Sequence, residues 1–187
     1  MADESINSQY LRGKLGPDIV EFSSERGQDT MTILRDKLVA TVLFLRKDPQ
    51  VQLDFLTDIT AVDYLGRKEP RFEVVYHFYS LPTKFRLRVK VPVPEANPVV
   101  DSLTALWKAA NWLEREVWDM YGIRFTGHPD LRRILLYEQF QGHPLRKDYP
   151  VNQCQPLVSL REVEGTFVDQ RSETKLVRLQ HQTRRKS

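Results

Sequence analysis

The chain has 187 residues, of which 41% are hydrophobic, and a formal net charge of +3 at pH 7. This size suits one domain with a substantial hydrophobic core. Cys154 is the only cysteine, which excludes a disulfide framework, a four-thiolate zinc site and a thiolate-held iron-sulfur cluster within this chain. We find neither a targeting leader nor the ~18-residue apolar run of a membrane span, so membrane attachment is expected only through partners.

The positive charge is concentrated at the end of the chain. Residues 171–187 carry six Lys or Arg against Glu173, which leaves the rest of the sequence slightly acidic. Such a tail could bind nucleic acid or anionic lipid, but it lacks interleaved aromatic residues, and no matching basic patch occurs elsewhere. We therefore expect no nucleic-acid partner, and a tail that is solvated or packs on an acidic partner.

The first half of the sequence predicts helices and strands in mixed order. Helices are expected over residues 6–16 and 35–47, a hairpin over 18–25 and 29–34, and a further strand over 51–62. On that last strand, one side is expected to be buried and to carry Val51, Leu53, Phe55, Ile59 and Ala61. Proline and glycine residues separate these elements, which indicates a compact α+β domain.

The clearest pattern is a pair of alternating apolar runs, residues 71–80 and 84–91, which predicts an antiparallel hairpin. Setting Tyr79 opposite Lys84 buries the apolar residues of both runs on one face. The same register places Glu73 opposite Lys90 on the solvent side, where such a pair contributes ~0.2–1 kcal/mol. It also places His77 on the outer face near Arg86, where we expect a structural histidine whose protonation the arginine disfavours. The proline-rich stretch after residue 91 should end the sheet.

A charged helix is predicted next, within "NWLEREVWDMYG". Asp101 or Ser102 should cap a first helical turn, and a break is expected near residues 107–110. A helix over 112–121 should then end at Gly122 in the left-handed conformation. Its apolar side is formed by the following residues: Ala110, Leu113, Val117, Met120 and Tyr121.

The charges on this helix have several possible roles. Glu114 either completes a capping box with Asn111 or is semi-buried and pairs with an arginine, for which Arg132 and Arg133 are the nearest candidates. Arg115 and Asp119 have the spacing of a helical ion pair. Glu114 and Glu116 project about 160° apart at 100° per residue, so they do not form a convergent acid/base pair.

Other catalytic motifs are not found in the sequence. It contains no glycine-rich phosphate loop, no G-x-S-x-G elbow and no H-E-x-x-H sequence. His128 and His143, each within "GHP", could form a metal site with Cys154, but turns before proline explain both histidines without a metal. A metal-binding enzyme that stands alone is thus the less favoured alternative.

The composition changes after Gly122, and this change predicts a division of the chain. Residues 1–122 form the predicted α+β domain, with a mainly antiparallel sheet packed by helices. Residues 123–187 are too long for an ordinary loop and lack apolar periodicity. We expect them to form an extended arm, with the basic tail at its end, that is ordered by lying over another protein of a complex.

Two stretches, "EREVWDMYGIRFTGHPDLRRIL" and "GHPLRKDYP", resemble the signature of the respiratory complex I 30-kDa subunit family, the C subunit of NADH-quinone oxidoreductase. "FLTDITAVDYLG" and "RFEVVYHFYS" resemble central strands of that family. The matching positions and their neighbours are the signature or interface candidates: Glu114, Arg115, Glu116, Asp119, Gly122, His128, Pro129, Asp130, Leu131, Arg132, Arg133, His143, Pro144, Arg146, Lys147 and Asp148. The resemblance covers about residues 50 to 150.

The resemblance implies a noncatalytic scaffold subunit in the quinone module of proton-translocating NADH:quinone oxidoreductase. It implies an arm that wraps around the large quinone-site subunit, known as the D subunit, with the small iron-sulfur subunits B and I nearby. It also implies that this chain holds no cofactor, and that FMN, the iron-sulfur clusters and quinone are bound by partner subunits. The expected location is the cytoplasmic face of a bacterial inner membrane, or the matrix side in an organelle. An equivalent subunit of a membrane-bound hydrogenase-type complex is an alternative.

Overall fold

In the computed structural model, which describes residues 6–157, the chain is an α+β protein built on a five-stranded sheet. The α-helices are α1 (Ile6–Leu15), α2 (Leu38–Lys47) and α3 (Ala110–Tyr121). The strands are β1 (Ile19–Glu25), β2 (Gln28–Ile33), β3 (Phe55–Asp63), β4 (Phe72–Tyr79), β5 (Arg86–Val93), β6 (Val99–Asp101) and β7 (Arg124–Thr126). Short 3-10 turns at Gly16–Asp18 and Arg35–Lys37 precede β1 and α2.

The main sheet has the order β1-β2-β5-β4-β3, and only the central β2–β5 pair is parallel. Two antiparallel hairpins, β1–β2 and β4–β5, therefore lie side by side, and β3 adds an antiparallel edge. This arrangement confirms the predicted fold class, a mainly antiparallel sheet packed by helices. The two predicted helices and the predicted hairpin of the first 50 residues are confirmed as well.

The β4–β5 hairpin has a different register from the predicted one. Tyr79 pairs with Arg86, not with Lys84, so the connection spans residues 80–85. A shift by two residues keeps every side chain on its predicted face, which explains why the alternation could not detect the error. Lys84 has a φ of 58°, which fits a place in the turn rather than in the ladder.

Glu73 nevertheless forms the predicted contact with Lys90, whose Nζ lies 3.2 Å from Glu73 Oε1. The contact is diagonal, because Pro92 is the residue directly opposite. Glu73 lies on the predicted face, but it is buried and also pairs with Lys68, so its predicted exposure to solvent was wrong. His77 lies opposite Arg88. Burial lowers the pKa of His77, and the positive charge of Arg88 lowers it further.

A bulge in β3 changes which side chains face the core. The pairing with β4 shifts between Leu56 and Asp58, so Leu56 is buried together with Ile59. Phe55, predicted on the buried side, is exposed. A one-residue bulge inverts the alternation on one side of it, and this sequence carries no glycine to mark the position.

The hydrophobic core lies between one face of the sheet and the helices. It contains buried side chains from every region of the described chain up to β7: Leu11, Met31, Ile33, Leu38, Val42, Leu45, Leu53, Phe72, Val74, Tyr76, Val89, Val91, Leu103, Val117, Ile123 and Phe125. Within the described residues, no helix is both long and apolar enough to cross a bilayer.

The entry into α3 differs from the prediction. Val99–Asp101 forms strand β6, which pairs in parallel with β7 just after α3, so Asp101 is not the cap of the predicted first turn. The alternative cap, Ser102, is confirmed: its Oγ accepts the Thr104 amide at 3.2 Å, and the Trp107 amide donates to the Leu103 carbonyl at 2.9 Å. The helix begins at Ala110, and its N-cap, Ala109, makes no side-chain capping bond. The capping box at Asn111 was therefore wrong. The predicted end is confirmed, because Gly122 is left-handed with a φ of 74°.

The compact unit extends beyond the predicted domain end at residue 122. Residues up to Pro156 belong to the same unit as the sheet, so the first part of the predicted arm packs on the domain. The basic tail and the rest of the predicted arm lie outside the described residues. That residues 123–187 wrap a partner stays a prediction.

Candidate functional site

Helix α3 and the irregular segment that follows it bring most of the signature residues together. We call residues 128–149 the junction segment, because it fastens the chain after β7 to α3 and to the sheet. Its backbone contains few regular elements, and side chains from α3, from the end of β3 and from Arg71, just before β4, supply hydrogen bonds to it. The signature residues thus form a set of contacts that fasten the junction segment to α3 and to the sheet.

Asp119 is the first fastening point. Its Oδ2 accepts hydrogen bonds from the consecutive amides of Ile134, Leu135 and Leu136, at 2.9–3.1 Å. Its Oδ1 lies 2.6 Å from Nη1 of Arg133. Burial alone would raise the pKa of Asp119, but the bonds from the Leu136 amide and Arg133 outweigh it and hold the pKa below its ordinary value. A fully buried carboxylate therefore organises a turn of the junction segment.

Arg115 is the second fastening point. Its guanidinium donates to the carbonyl oxygens of Arg132 and Arg133, at 3.1 and 3.0 Å. The predicted helical pair of Arg115 with Asp119 was wrong, because Asp119 is turned into the protein and pairs with Arg133. The helical spacing permitted the local pair, whereas the tertiary contact supplies more hydrogen bonds to each group.

Gly122 marks a close approach between α3 and the junction segment. A β-carbon at this position would lie 2.6 Å from the ring of His143 and 2.7 Å from Arg146. His143 Nδ1 lies 2.9 Å from the Asp119 carbonyl oxygen, and Arg146 donates to the carbonyl of Tyr121. Burial lowers the pKa of His143, and the charge of Arg146 lowers it further. These contacts satisfy carbonyls at the C-terminal end of α3.

Arg71, at the start of β4, fastens the end of the junction segment. It is 2% exposed and donates two bonds to Asp63 of β3, two to Asp148 and one to Glu95. The amide of Lys147 donates to Asp63 as well, at 2.8 Å. Burial would raise the pKa of Asp63, but these bonds lower it to about 2. All five donors of the guanidinium are used, which only arginine can supply.

Glu114 points toward the chain before α3. Its oxygens accept hydrogen bonds from the Ser102 hydroxyl and the Leu103 amide, both at 2.7 Å. Both predicted roles of Glu114 were therefore wrong, since it neither caps the helix at Asn111 nor pairs with an arginine. Burial raises the pKa of Glu114 to about 7. Glu116 is exposed, so the two carboxylates do not converge, as expected.

Leu131 packs against the hydrophobic core, and the other remaining signature residues lie in or next to the two His-Pro turns. His128 Nε2 lies 3.1 Å from the carbonyl oxygen of Asn111, and its Nδ1 accepts a bond from the Asp130 amide. Asp130 and Arg132 form an exposed ion pair at 3.0 Å. Pro129 and Pro144 are the prolines of the two His-Pro turns. Neither has an amide hydrogen to donate to these contacts.

Large apolar side chains remain exposed next to these contacts. Trp112 on α3 is 68% exposed, and Leu135 in the junction segment is 62% exposed. Tyr137 and Leu145 are also exposed although their neighbours are fixed by hydrogen bonds. Tryptophan and tyrosine are enriched at protein interfaces, and rigidly held apolar side chains lose little entropy on binding. Trp112 and the junction segment thus present several exposed apolar side chains on a backbone that is fixed by hydrogen bonds.

Residues 6–157 contain no group of three or more His, Cys, Asp or Glu side chains placed to hold a metal ion. His128, His143 and Cys154 do not converge: the two histidines each bond a different part of α3, and Cys154 is exposed. The buried carboxylates of Asp63 and Asp119 are each paired with an arginine and with backbone amides, which is typical of a structural role.

Sequence reasoning missed Arg71, Asp63 and Ser102 as members of this arrangement. Arg71 comes just before an apolar strand, and Asp63 comes at the end of another. The only sequence indication for either residue was therefore a charged side chain at the end of a predicted strand. The pairing of β3 with β4 is what sets them side by side, and the contact with Asp148 spans 77 residues of sequence. Local sequence patterns do not reveal contacts between residues so far apart in the sequence.

Comparisons with known proteins agree on the family. Residues 31–155 match the family model of the respiratory-chain NADH dehydrogenase 30 Kd subunit. The chain is 50% identical to the C subunit of NADH-quinone oxidoreductase from Geobacter sulfurreducens, over 81% of this chain and 92% of that protein. It is 49% identical to the protein of the same name from Roseiflexus sp. (strain RS-1), over 80% of this chain and 85% of that protein.

Two solved structures resemble the fold. A trypsin-resistant fragment (1-134) of Nqo5 matches with a TM-score of 0.60 and 33% identity, over 67% of this chain and 98% of the fragment. A chain of the membrane-bound sulfane sulfur reductase, an archaeal respiratory membrane complex, matches with a TM-score of 0.64 over 88% of this chain and 100% of its own length. At 20% identity, that second likeness concerns the fold alone. The chain belongs to the respiratory-chain NADH dehydrogenase 30 kDa subunit family.

Proposed function

We propose that this chain is the 30-kDa scaffold subunit of an NADH-quinone oxidoreductase and that it docks on the large quinone-site subunit. The relatives with about 50% identity carry the name of that enzyme's C subunit. The observation that carries the docking role is the junction segment, which α3 and Arg71 hold in place while Trp112 and Leu135 stay exposed.

In this proposal the chain contributes no reacting group. Electrons pass from NADH through FMN and iron-sulfur clusters to quinone, and partner subunits bind all of these. A single cysteine in 187 residues cannot supply the ligands of an iron-sulfur cluster, which supports this division of roles. The small iron-sulfur subunits B and I are further proposed neighbours. The chain would reach the cytoplasmic face of the membrane through the complex.

Affinity purification from gently solubilised membranes tests the proposal. A tagged chain should co-purify with the large quinone-site subunit and the iron-sulfur subunits, together with NADH-oxidising activity. The same chain produced alone should contain no stoichiometric flavin, iron or zinc. Recovery of the chain without these partners, or a stoichiometric cofactor in the isolated chain, would contradict it.

Interface variants sharpen this test. Trp112→Ser and Leu135→Ser should reduce recovery of the large quinone-site subunit, because each removes an exposed apolar side chain from the proposed docking surface. Leu34→Ser is the matched control, since Leu34 is 50% exposed and lies neither on α3 nor in the junction segment. All three variants should retain the unfolding midpoint of the parent chain, because exposed substitutions change the free energy of unfolding by about 0.5 kcal/mol or less.

A further inference from the structure

Glu114 is a buried carboxylate without a cationic partner among the described residues. Its side chain is 0% exposed, and its two hydrogen bonds come from neutral donors, the Ser102 hydroxyl and the Leu103 amide. Each of the other buried carboxylates of this region, Asp63 and Asp119, has an arginine against it. A buried anion that lacks such a partner is energetically costly, and this accounts for the raised pKa of Glu114, about 7.

The groups that face Glu114 from neighbouring elements do not supply positive charge. Tyr76 comes from β4, and its buried hydroxyl has no hydrogen-bond partner among the described residues. Burial raises the pKa of Tyr76 well above its ordinary value, and the negative charges of Glu114 and of Asp101, from β6, raise it further. On α3 itself, Arg115 is directed away, toward the carbonyls of the junction segment.

Helix α3 connects Glu114 mechanically to the junction segment. On one side, Glu114 bonds the chain between β6 and α3. On another, Asp119 and Arg115 bond residues 132–136. A movement of α3 away from the chain before it therefore exposes Glu114 and carries residues 132–136 with it.

We propose that α3 and residues 132–136 open and close as one unit whose stability is controlled by a proton on Glu114. With the proton bound, the buried side chain is neutral and the closed state is favoured. Without it, the closed state must bury an unpaired carboxylate, and opening becomes easier. This unit contains part of the docking surface, but the inference does not depend on which partner binds there.

The direction of the pH effect follows from the sign of the shift. The pKa of Glu114 is raised in the closed state above its ordinary value of 4.5. Its contribution to the closed state is therefore fully present below pH 4.5 and is lost as the pH rises through about 7. Asp119 changes in the opposite sense and at lower pH, because its pKa is depressed. His143, which bonds the C-terminal end of α3, acts against Glu114 at the lower end of the range from about pH 6 to 8, because burial lowers its pKa from 6.5 and its contribution is gained as the pH rises toward 6.5. Comparison of the parent chain with Glu114→Gln cancels the contribution of His143.

Amide hydrogen exchange on the full chain tests this inference. The protection factors of Ile134, Leu135 and Leu136, corrected for intrinsic exchange and divided by those of Glu114→Gln, should fall about tenfold between pH 6 and 8. Glu114→Gln itself should show no such fall, since glutamine is neutral throughout. Glu116→Gln is the matched control, because Glu116 is exposed on the same helix, and it should retain the tenfold change.

Three results would overturn the inference: constant protection in the parent chain relative to Glu114→Gln, an unchanged pH dependence in Glu114→Gln, or a loss of the dependence in Glu116→Gln. If Glu114→Gln does not fold, the carboxyl carbon of Glu114 is titrated by NMR in the parent chain. A midpoint near 7 that coincides with the change in protection supports the inference, and a midpoint near 4.5 contradicts it.

Discussion

Asp119 Oδ1 and Arg133 Nη1 lie 2.6 Å apart, and both side chains are largely shielded from water. The pair joins the buried side of α3 to the junction segment, and Oδ2 of the same carboxylate receives three backbone amides. Removal of either partner would leave a buried charge or several orphaned amides. The stability of this region therefore depends strongly on a few ionic contacts.

Asp119→Ala should lower the free energy of unfolding by about 3–5 kcal/mol, because it leaves Arg133 without its carboxylate and three amides without an acceptor. Urea denaturation measures the change. Glu116→Ala, which removes an exposed carboxylate on the same helix, should change the value by about 0.5 kcal/mol or less. Equal effects of the two substitutions would show that the Asp119 contacts contribute little.

Gly122→Ala should destabilise the chain more than Gly27→Ala. Both glycines have a φ of 74°, so both substitutions impose the same backbone strain, about 1 kcal/mol. A β-carbon at Gly27 meets open space, whereas one at Gly122 lies 2.6 Å from His143. The difference between the two unfolding free energies thus reports the contact alone, and a difference near zero would mean that His143 moves aside freely.

Arg71→Lys should release the end of the junction segment. Lysine keeps the charge but cannot donate the five directed bonds to Asp63, Asp148 and Glu95. We expect faster proteolytic cleavage near residues 145–149, measured by limited trypsin digestion and mass spectrometry. Arg67→Lys, at an exposed arginine in the loop before β4, serves as the control and should leave the cleavage rate unchanged. Equal rates in both variants would refute this role of Arg71.

Asp63 should make the fold sensitive to acid. Its pKa is lowered from 3.8 to about 2, so its stabilising contribution is present above pH 3.8 and is lost as the pH falls through about 2. That shift corresponds to about 2 kcal/mol for this fully buried side chain. Asp63→Asn should therefore flatten the fall in unfolding free energy between about pH 4 and 2. An unchanged acid limb in the variant would rule out Asp63 as its source.

Much of the fold could be predicted because it depends on local patterns. The alternation in β4 and β5 identified the buried face, and Gly122 identified the end of α3. The register of the hairpin could not be fixed in this way, because a two-residue shift preserves the faces. The bulge that exposes Phe55 left no signal in the residue types.

The contacts of the junction segment were beyond prediction for a different reason. The signature indicated which residues matter, but not their partners. Glu114 meets Ser102, Asp119 meets Arg133, and these choices depend on how β6, α3 and β7 pack together. Helical spacing suggested instead the pair of Arg115 with Asp119, which the tertiary structure replaces.

The most direct test of the docking role is site-specific photo-cross-linking in intact membranes. A photoreactive phenylalanine analogue replaces Leu135, which is 62% exposed in the junction segment, or Val20, which is 59% exposed on β1. Irradiation followed by mass spectrometry identifies the attached protein. The proposal predicts that position 135 cross-links to the large quinone-site subunit and that position 20 does so far less. Equal labelling from both positions, or no cross-link to that partner from position 135, would contradict it.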